Sequence, residues 1–180
     1  VDAPLGGTPA QAATGELAAM VGAHEDVFAR VEPVIGTWAK AVVRIGGPGS
    51  GHKMKLLNNF LAMGYGAIYA EALALAEKSG VGTAMFDSVI RGSRMDCGFY
   101  QTFMGYAVEG NREAHKFTLT NALKDMAYLA AMADGSGVAN PVQGAVKNSY
   151  AMAVNTGGDG PEDYVPHLVD FVAKVNGIDR

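Results

Sequence analysis

The sequence predicts a mainly α-helical chain in which a short stretch of β/α structure precedes an all-α domain. Up to about residue 45, short apolar runs flank a single helical pattern, which is typical of β/α structure. After the glycine cluster at residues 46–51, helical patterns continue to the end of the chain. We therefore expect two parts, residues 1–45 and residues 46–180.

The first part is predicted to contain three short strands and one helix. The strands are expected over residues 1–5, 16–21 and 41–45, and the helix over residues 25–38. So few elements bury little apolar surface and make a small unit to fold alone. We therefore expect this part to be the end of a larger α/β domain.

The second part is predicted to contain only helices. They are expected near residues 52–79, 83–93, 97–109, 117–135, 141–156 and 163–176. Turn residues separate them: Gly80 follows the first helix, and Asn140 with Pro141 begins the fifth as cap and first-turn proline. No internal repeat or low-complexity segment interrupts this pattern.

The first of these helices carries no charge between Lys55 and Glu71. A helix that is apolar on every face is normally central, so we expect neighbours to pack around it on all sides. Gly64 and Gly66 lie inside it, where glycine costs stability. We expect another backbone or a ligand to approach the helix closely at these glycines.

Composition and charge exclude several classes of protein. The 180 residues are 49% hydrophobic and 18% charged, which is ordinary for a globular protein. A net charge of −4 provides no broad basic surface, so nucleic acid is not an expected partner. The longest uncharged stretch, residues 56–70, is too short for a comfortable membrane span. We expect neither a nucleic-acid-binding nor a membrane protein.

Cysteine and histidine usage predicts a cytoplasmic protein without a metal site. Cys97 is the single cysteine, which excludes an internal disulfide and fits a reducing compartment. The four histidines lie far apart, without a second metal ligand at suitable spacing. The N-terminus lacks a basic start followed by an apolar run, so no secretory signal is expected.

Lys55 and Asn59 form the strongest candidate site. Four residues apart on a helix, they share a face and can converge on one small polar group. A lysine entering an uncharged helix must reach water, find a partner, or lose solvent with a lowered pKa, and the last option makes a general acid/base. The alternative is a lysine whose stem is buried and whose ammonium reaches water, with structural amides behind it. Of the adjacent amides Asn58 and Asn59, one is expected to serve the chain and the other a ligand.

The glycine cluster is interpreted as the junction between the two parts. Gly46 and Gly51 have the spacing of the two glycines in a phosphate-binding loop. His52 and Lys53, however, stand where that loop needs its lysine and its hydroxyl. A dinucleotide-binding loop is also excluded, because only helices follow.

Two further segments are candidates for function. Residues 2–9 end a strand in a turn whose backbone N–H groups could hold a carboxylate, with the Thr8 hydroxyl as an extra donor. A purely structural turn is the alternative. Lys124 and Asp125 are either a solvated charge pair or a functional pair in apolar surroundings.

The chain as a whole resembles the β-hydroxyacid dehydrogenase family, which includes 3-hydroxyisobutyrate dehydrogenase and 2-hydroxy-3-oxopropionate reductase. Four ordered motifs carry the resemblance: Asp2-Ala3-Pro4-x-x-Gly7, Gly15-x-Leu17-x-x-Met20-Val21-Gly22, Gly49-x-Gly51-x-x-x-Lys55-x-x-Asn58-Asn59 and Lys124-Asp125. It implies that residues 1–45 are the C-terminal remnant of a Rossmann-type NAD(P)-binding domain. Residues 46–180 would then be an all-α substrate-binding and dimerisation domain that begins with a long interdomain helix.

The resemblance also implies roles for individual residues. Two residues would be catalytic: Lys55 as proton donor and acceptor, and Asn59 as the amide that orients the substrate oxygen or the lysine. The substrate would bind to Gly6, Gly7, Thr8 and Asn58. The cofactor would bind to Lys124 and Asp125. The usual family pattern Ser-Gly-Gly is replaced here by Gly6-Gly7-Thr8, and we hypothesise that Thr8 partly replaces the missing hydroxyl. His52 stands where glutamine is common.

The function implied is hydride transfer between NAD or NADP and a small β-hydroxyacid or its semialdehyde, in a homo-oligomer (dimer or tetramer), without a metal. Because no GxGxxG motif precedes the first strand, we expect a fragment of a longer enzyme that is inactive alone. One alternative is a non-catalytic oligomerisation or ligand-binding module of the same fold. The other is an enzyme like 6-phosphogluconate dehydrogenase, whose phosphorylated substrate would need an Arg and Lys cluster near the turn.

Overall fold

The fold is mainly helical, with one small sheet near the start of the chain. A computed structural model describes residues 1–180 and divides them into two units, Val1–Asn59 and Phe60–Arg180. The sheet belongs to the first unit, and the second unit contains only helices. The predicted fold class is therefore confirmed.

The first unit is built on a three-stranded sheet. Its elements are β1 (Leu5–Gly6), α1 (Pro9–Ala13), β2 (Leu17–Gly22), α2 (Glu25–Ile35) and β3 (Ala39–Gly46). The strands lie in the order β1-β2-β3, with β1 antiparallel to β2 and β2 parallel to β3. A parallel pair needs a crossover, which α2 provides. The small core of this unit consists of Ala19, Val21, Ala23, Ile35 and Ala39.

The structure corrects the predicted start of the chain. Instead of a strand over residues 1–5, a two-residue strand forms at Leu5–Gly6, and Asp2 makes an isolated antiparallel bridge to Gly22. The short helix α1 was not predicted. Thr8 begins it with a capping box, in which its side chain and backbone both bond Gln11.

The second unit consists of most of the long helix α3 (Ser50–Lys78) and five further helices. The five are α4 (Thr83–Ile90), α5 (Gly98–Ala107), α6 (Leu119–Ser136), α7 (Pro141–Asn155) and α8 (Leu168–Val175). All six predicted helices are present, and only the last is divided, because a 3₁₀ turn at Val165–His167 precedes α8. No helix combines the length and the apolar character that crossing a membrane requires.

Close packing explains Gly66 in the middle of α3 but does not explain Gly64. A Cβ on Gly66 would lie 2.7 Å from the hydroxyl of Tyr150, which donates to the carbonyl of Met63 at 3.0 Å. Within the chain, the close approach at Gly66 therefore comes from a side chain of α7 and not from a backbone. At Gly64 a Cβ would meet only Val146, at an ordinary 3.9 Å.

The helix α3 is not surrounded on every side within this chain. Ala70 and Leu73 are fully buried, whereas Leu61, Ile68 and Leu75 are 58%, 59% and 70% exposed. The expectation of neighbours on all faces is wrong for the chain by itself. These three exposed side chains recur every seven residues, so they lie on one side of the helix.

Candidate active site

Lys55 and Asn59 lie in one row along α3 that begins at Gly51. These residues are four positions apart, so helix geometry places them one above another. Asn59 is buried and Lys55 is half-buried, while Asn58 is exposed. The Asn58 amide nitrogen donates to Asn59 Oδ1 at 3.5 Å. The two adjacent amides thus have different environments: Asn59 lies inside the protein and Asn58 at its surface.

Asp2 holds the start of α3 with both of its carboxylate oxygens. Oδ1 accepts from the backbone N–H of Gly49 at 2.6 Å, and Oδ2 accepts from that of His52 at 2.8 Å. The first N–H groups of a helix have no partner inside the helix, and an acceptor there also matches the positive end of the helix dipole. A residue 47 positions earlier in the chain therefore caps α3. Nothing in the motif Asp2-Ala3-Pro4-x-x-Gly7 indicated this role of Asp2.

The pKa of the Asp2 carboxyl reflects two opposing causes. Burial raises it, but the N–H groups of Gly49 and His52 and the nearby His52 ring lower it. The net result is a pKa below the ordinary value for aspartate. The start of α3 therefore binds the ionised carboxylate.

The glycines of the cluster have distinct structural reasons. Gly49 adopts a φ of +87°, in the left-handed region that favours glycine. Gly51 faces β2, where an added Cβ would overlap the carbonyl oxygen of Met20. Because Asp2 accepts the N–H groups of Gly49 and His52 and β2 fills the space beside Gly51, these parts of the cluster are not open to a phosphate.

The predicted substrate turn is ordered by local hydrogen bonds. Gly6 pairs with Ala18 in the sheet, and Gly7 has a φ of +134°. The Thr8 hydroxyl lies 3.2 Å from Gln11 Oε1, which also accepts from the Thr8 N–H at 2.9 Å. The donors of Thr8 are thus engaged by the cap of α1 in this structure.

Lys124 and Asp125 form an ion pair on α6, in the second unit. Lys124 Nζ lies 3.2 Å from Asp125 Oδ1 and 5.9 Å from the centre of the Tyr128 ring. Half of the Lys124 side chain is exposed, whereas Asp125 is largely buried. The pair therefore presents one ammonium at the surface above a buried carboxylate.

The structure divides the predicted site residues between the two units. Lys55, the adjacent amides of α3 and the turn at residues 6–8 belong to the first unit, and the ion pair of α6 belongs to the second. Their assignment to substrate, proton transfer and cofactor stays a prediction. No three His, Cys, Asp or Glu side chains are grouped so that they could hold a metal ion.

Two family models together match nearly the whole chain. Residues 49–166 match the model described as NAD-binding of NADP-dependent 3-hydroxyisobutyrate dehydrogenase. Residues 1–47 match the model described as the NAD binding domain of 6-phosphogluconate dehydrogenase. The change from one model to the other falls within the glycine cluster that precedes α3.

Individual relatives are oxidoreductases by name. An uncharacterised oxidoreductase of Mycobacterium tuberculosis is 43% identical over 52% of this chain and 32% of its own length. The L-threonate dehydrogenase of Escherichia coli is 30% identical over 87% of this chain and 52% of its own length. The crystal structure of a 3-hydroxyisobutyrate dehydrogenase from Salmonella typhimurium superposes with a TM-score of 0.80 at 26% identity, over 94% of this chain and 59% of that one. The chain thus spans between a third and three fifths of the length of these relatives.

Proposed function

The chain belongs to the β-hydroxyacid dehydrogenase family, and on that premise we propose that it forms part of an NAD(P)-dependent oxidoreductase acting on a small β-hydroxyacid or its semialdehyde. The observation that carries the proposal is the row on α3, in which half-buried Lys55 and buried Asn59 lie on one face. Such a row can present an ammonium and an amide to one substrate oxygen. The names of the relatives support the reaction class.

In this proposal Lys55 transfers the proton. Reduction of a carbonyl builds negative charge on its oxygen, and a lysine ammonium beside that oxygen both stabilises the charge and delivers a proton. In the opposite direction the neutral amine accepts the hydroxyl proton of the hydroxyacid. The Asn59 amide orients the substrate oxygen or the lysine, and it is held by the interior of the protein.

The substrate carboxylate is proposed to bind at Gly6, Gly7 and Thr8, with the exposed amide of Asn58 as a further contact. Backbone N–H groups in a turn suit a carboxylate. For Thr8 to donate to the substrate, its hydroxyl must exchange Gln11 Oε1 for the carboxylate. Binding at this turn would therefore compete with the cap of α1.

The donor set of this chain fits one end of a nicotinamide dinucleotide. The half-exposed Lys124 and its partner Asp125 offer one cation and one acceptor, which suit polar groups of the nicotinamide end. The N–H groups of Gly49 and His52 at the start of α3 are not open to the pyrophosphate, because both already donate to Asp2. A bound cofactor would supply the hydride. We propose Lys124 and Asp125 as its contacts, and we propose that the chain alone is inactive.

A homo-oligomer, dimer or tetramer, is also part of the proposal. Leu61, Ile68 and Leu75 expose apolar surface along α3, which supports self-association. Glu71 and Lys78 are exposed seven residues apart on the same helix. Two antiparallel copies of α3 related by a two-fold axis can place the glutamate of one opposite the lysine of the other.

The proposal is tested by a substrate panel on the full-length protein. Small β-hydroxyacids and 6-phosphogluconate are offered with NAD and with NADP, and the absorbance of the reduced nicotinamide is followed. We expect turnover of at least one small β-hydroxyacid. Turnover of 6-phosphogluconate alone would support the phosphorylated sugar acid instead, and no turnover of any compound would support a non-catalytic module.

Asn59→Ala is expected to lower kcat by about tenfold and to leave the KM for the cofactor unchanged, because the amide orients the reacting groups. The measurement is steady-state kinetics on the full-length enzyme. Asn58→Ala is the comparison: it removes the neighbouring, exposed amide that is proposed to contact the substrate, so it should raise the KM for the hydroxyacid and keep kcat near that of wild type. A selective rise in the KM for the cofactor would place Asn59 on the cofactor and contradict its proposed role.

A further inference from the structure

A single residue, Asp2, bonds both the sheet and the start of α3. Its backbone forms both hydrogen bonds of the bridge to Gly22, with Asp2 N–H donating at 3.1 Å and Asp2 O accepting at 2.8 Å. Its side chain accepts the two N–H groups at the start of α3. The end of β2 and the first turn of α3 are therefore held to the same residue.

The face of α3 that meets β2 is the face that carries the candidate catalytic row. Gly51 lies so close to Met20 O that no side chain fits, and Lys55 and Asn59 follow at intervals of four residues. A small lift or rotation of the first turn would therefore move the whole row relative to the sheet. Contact with a backbone carbonyl also leaves that turn little freedom to settle elsewhere.

We propose that Asp2 is a positioning residue, whose carboxylate fixes the start of α3 and thereby the placement of Lys55 and Asn59 for proton transfer. The inference rests on the proposed function. Asp2 also begins the segment that ends in the turn at residues 6–8. One short segment thus holds the catalytic helix and leads into the turn assigned to the substrate carboxylate.

The carboxylate is better suited to this task than a neutral side chain. Two N–H donors at separate oxygens need an acceptor at both positions, and an asparagine has only one acceptor oxygen. The side-chain NH2 of the asparagine would face one of the two N–H groups, and two donors cannot form a hydrogen bond with each other. The negative charge is also favourable at the positive end of a helix. Asp2→Asn keeps the size of the side chain while it removes one contact and the charge.

The test compares Asp2→Asn with Glu77→Gln in the full-length enzyme. Glu77 is a matched control, because its Oε1 accepts the N–H of Thr83 at 2.6 Å at the start of another helix, α4. We expect Asp2→Asn to lower kcat by about ten- to a hundredfold with the KM for the cofactor unchanged, since small misplacements of a catalytic group cost rates of this order. Glu77→Gln should keep kcat.

Two further readouts separate positioning from a purely structural role. Asp2→Asn should have no additional effect on kcat in a background that carries both Lys55→Met and Asn59→Ala, because it acts through the placement of these two residues. The amides of Gly49 and His52 should exchange hydrogen faster in Asp2→Asn. A variant that melts earlier but keeps wild-type kcat would overturn the inference while the proposed function stands. An inactive wild type, or wild-type turnover in Lys55→Met, would overturn the proposed function itself and the inference with it.

Discussion

Replacement of Lys55 by Met is expected to lower kcat of the full-length enzyme at least about a hundredfold, in keeping with loss of a general acid/base. Methionine keeps much of the unbranched stem that is half-buried in α3, so the helix should persist. The change removes the group that delivers the proton and the positive charge that stabilises the developing oxyanion. Steady-state kinetics with a saturating cofactor measures the loss.

Two companion variants identify what the lysine contributes. Lys53→Met removes the same charge two residues earlier, from an exposed position outside the row, and should keep wild-type kcat. Lys55→Arg keeps a positive charge, but the arginine cannot donate its proton, because the guanidinium stays protonated. We therefore expect the arginine variant to remain slow. Near-normal turnover of Lys55→Met would remove Lys55 from the mechanism.

The long and strongly patterned elements of this chain are the ones that the sequence predicts well. The helix α3 was expected over residues 52–79 and occupies Ser50–Lys78, because a long, mostly apolar stretch without proline between a glycine cluster and Ser79-Gly80 leaves few alternatives, despite the glycines inside it. The five-residue α1 was missed because its apolar pattern is too short to show a period. Its capping box, Thr8 with Gln11 three residues on, was the available signal.

Contacts between distant residues account for what the sequence did not reveal about the candidate site. Lys55 and Asn59 are four residues apart, so their common face follows from helix geometry alone. The partners of Asp2 lie 47 and 50 residues away and are backbone N–H groups, which no side-chain spacing encodes. The same applies to the exposed side of α3, because an apolar sequence does not specify whether its neighbours belong to the same chain.

Gly51→Ala is expected to destabilise the protein by about 3 kcal/mol, at the upper end of what overpacking usually costs. The new Cβ would overlap Met20 O and lie 2.8 Å from Asp2 Oδ2 and 3.1 Å from the Gly22 nitrogen. Two of these atoms are backbone atoms of β2 and cannot rotate away. The first turn of α3 must therefore separate from β2. Chemical denaturation of the full-length protein measures the loss.

Gly47→Ala is the matched control for this prediction, because the same Cβ would enter open space at a residue without a positive φ. It should leave stability within about 0.5 kcal/mol of wild type. Gly51→Ala should also lower kcat in the fraction that remains folded, since Lys55 and Asn59 follow on the displaced face. Wild-type stability of Gly51→Ala would contradict the close docking of α3 on β2. Lost stability with full kcat would instead show that the docking holds the fold together but does not set the position of the lysine.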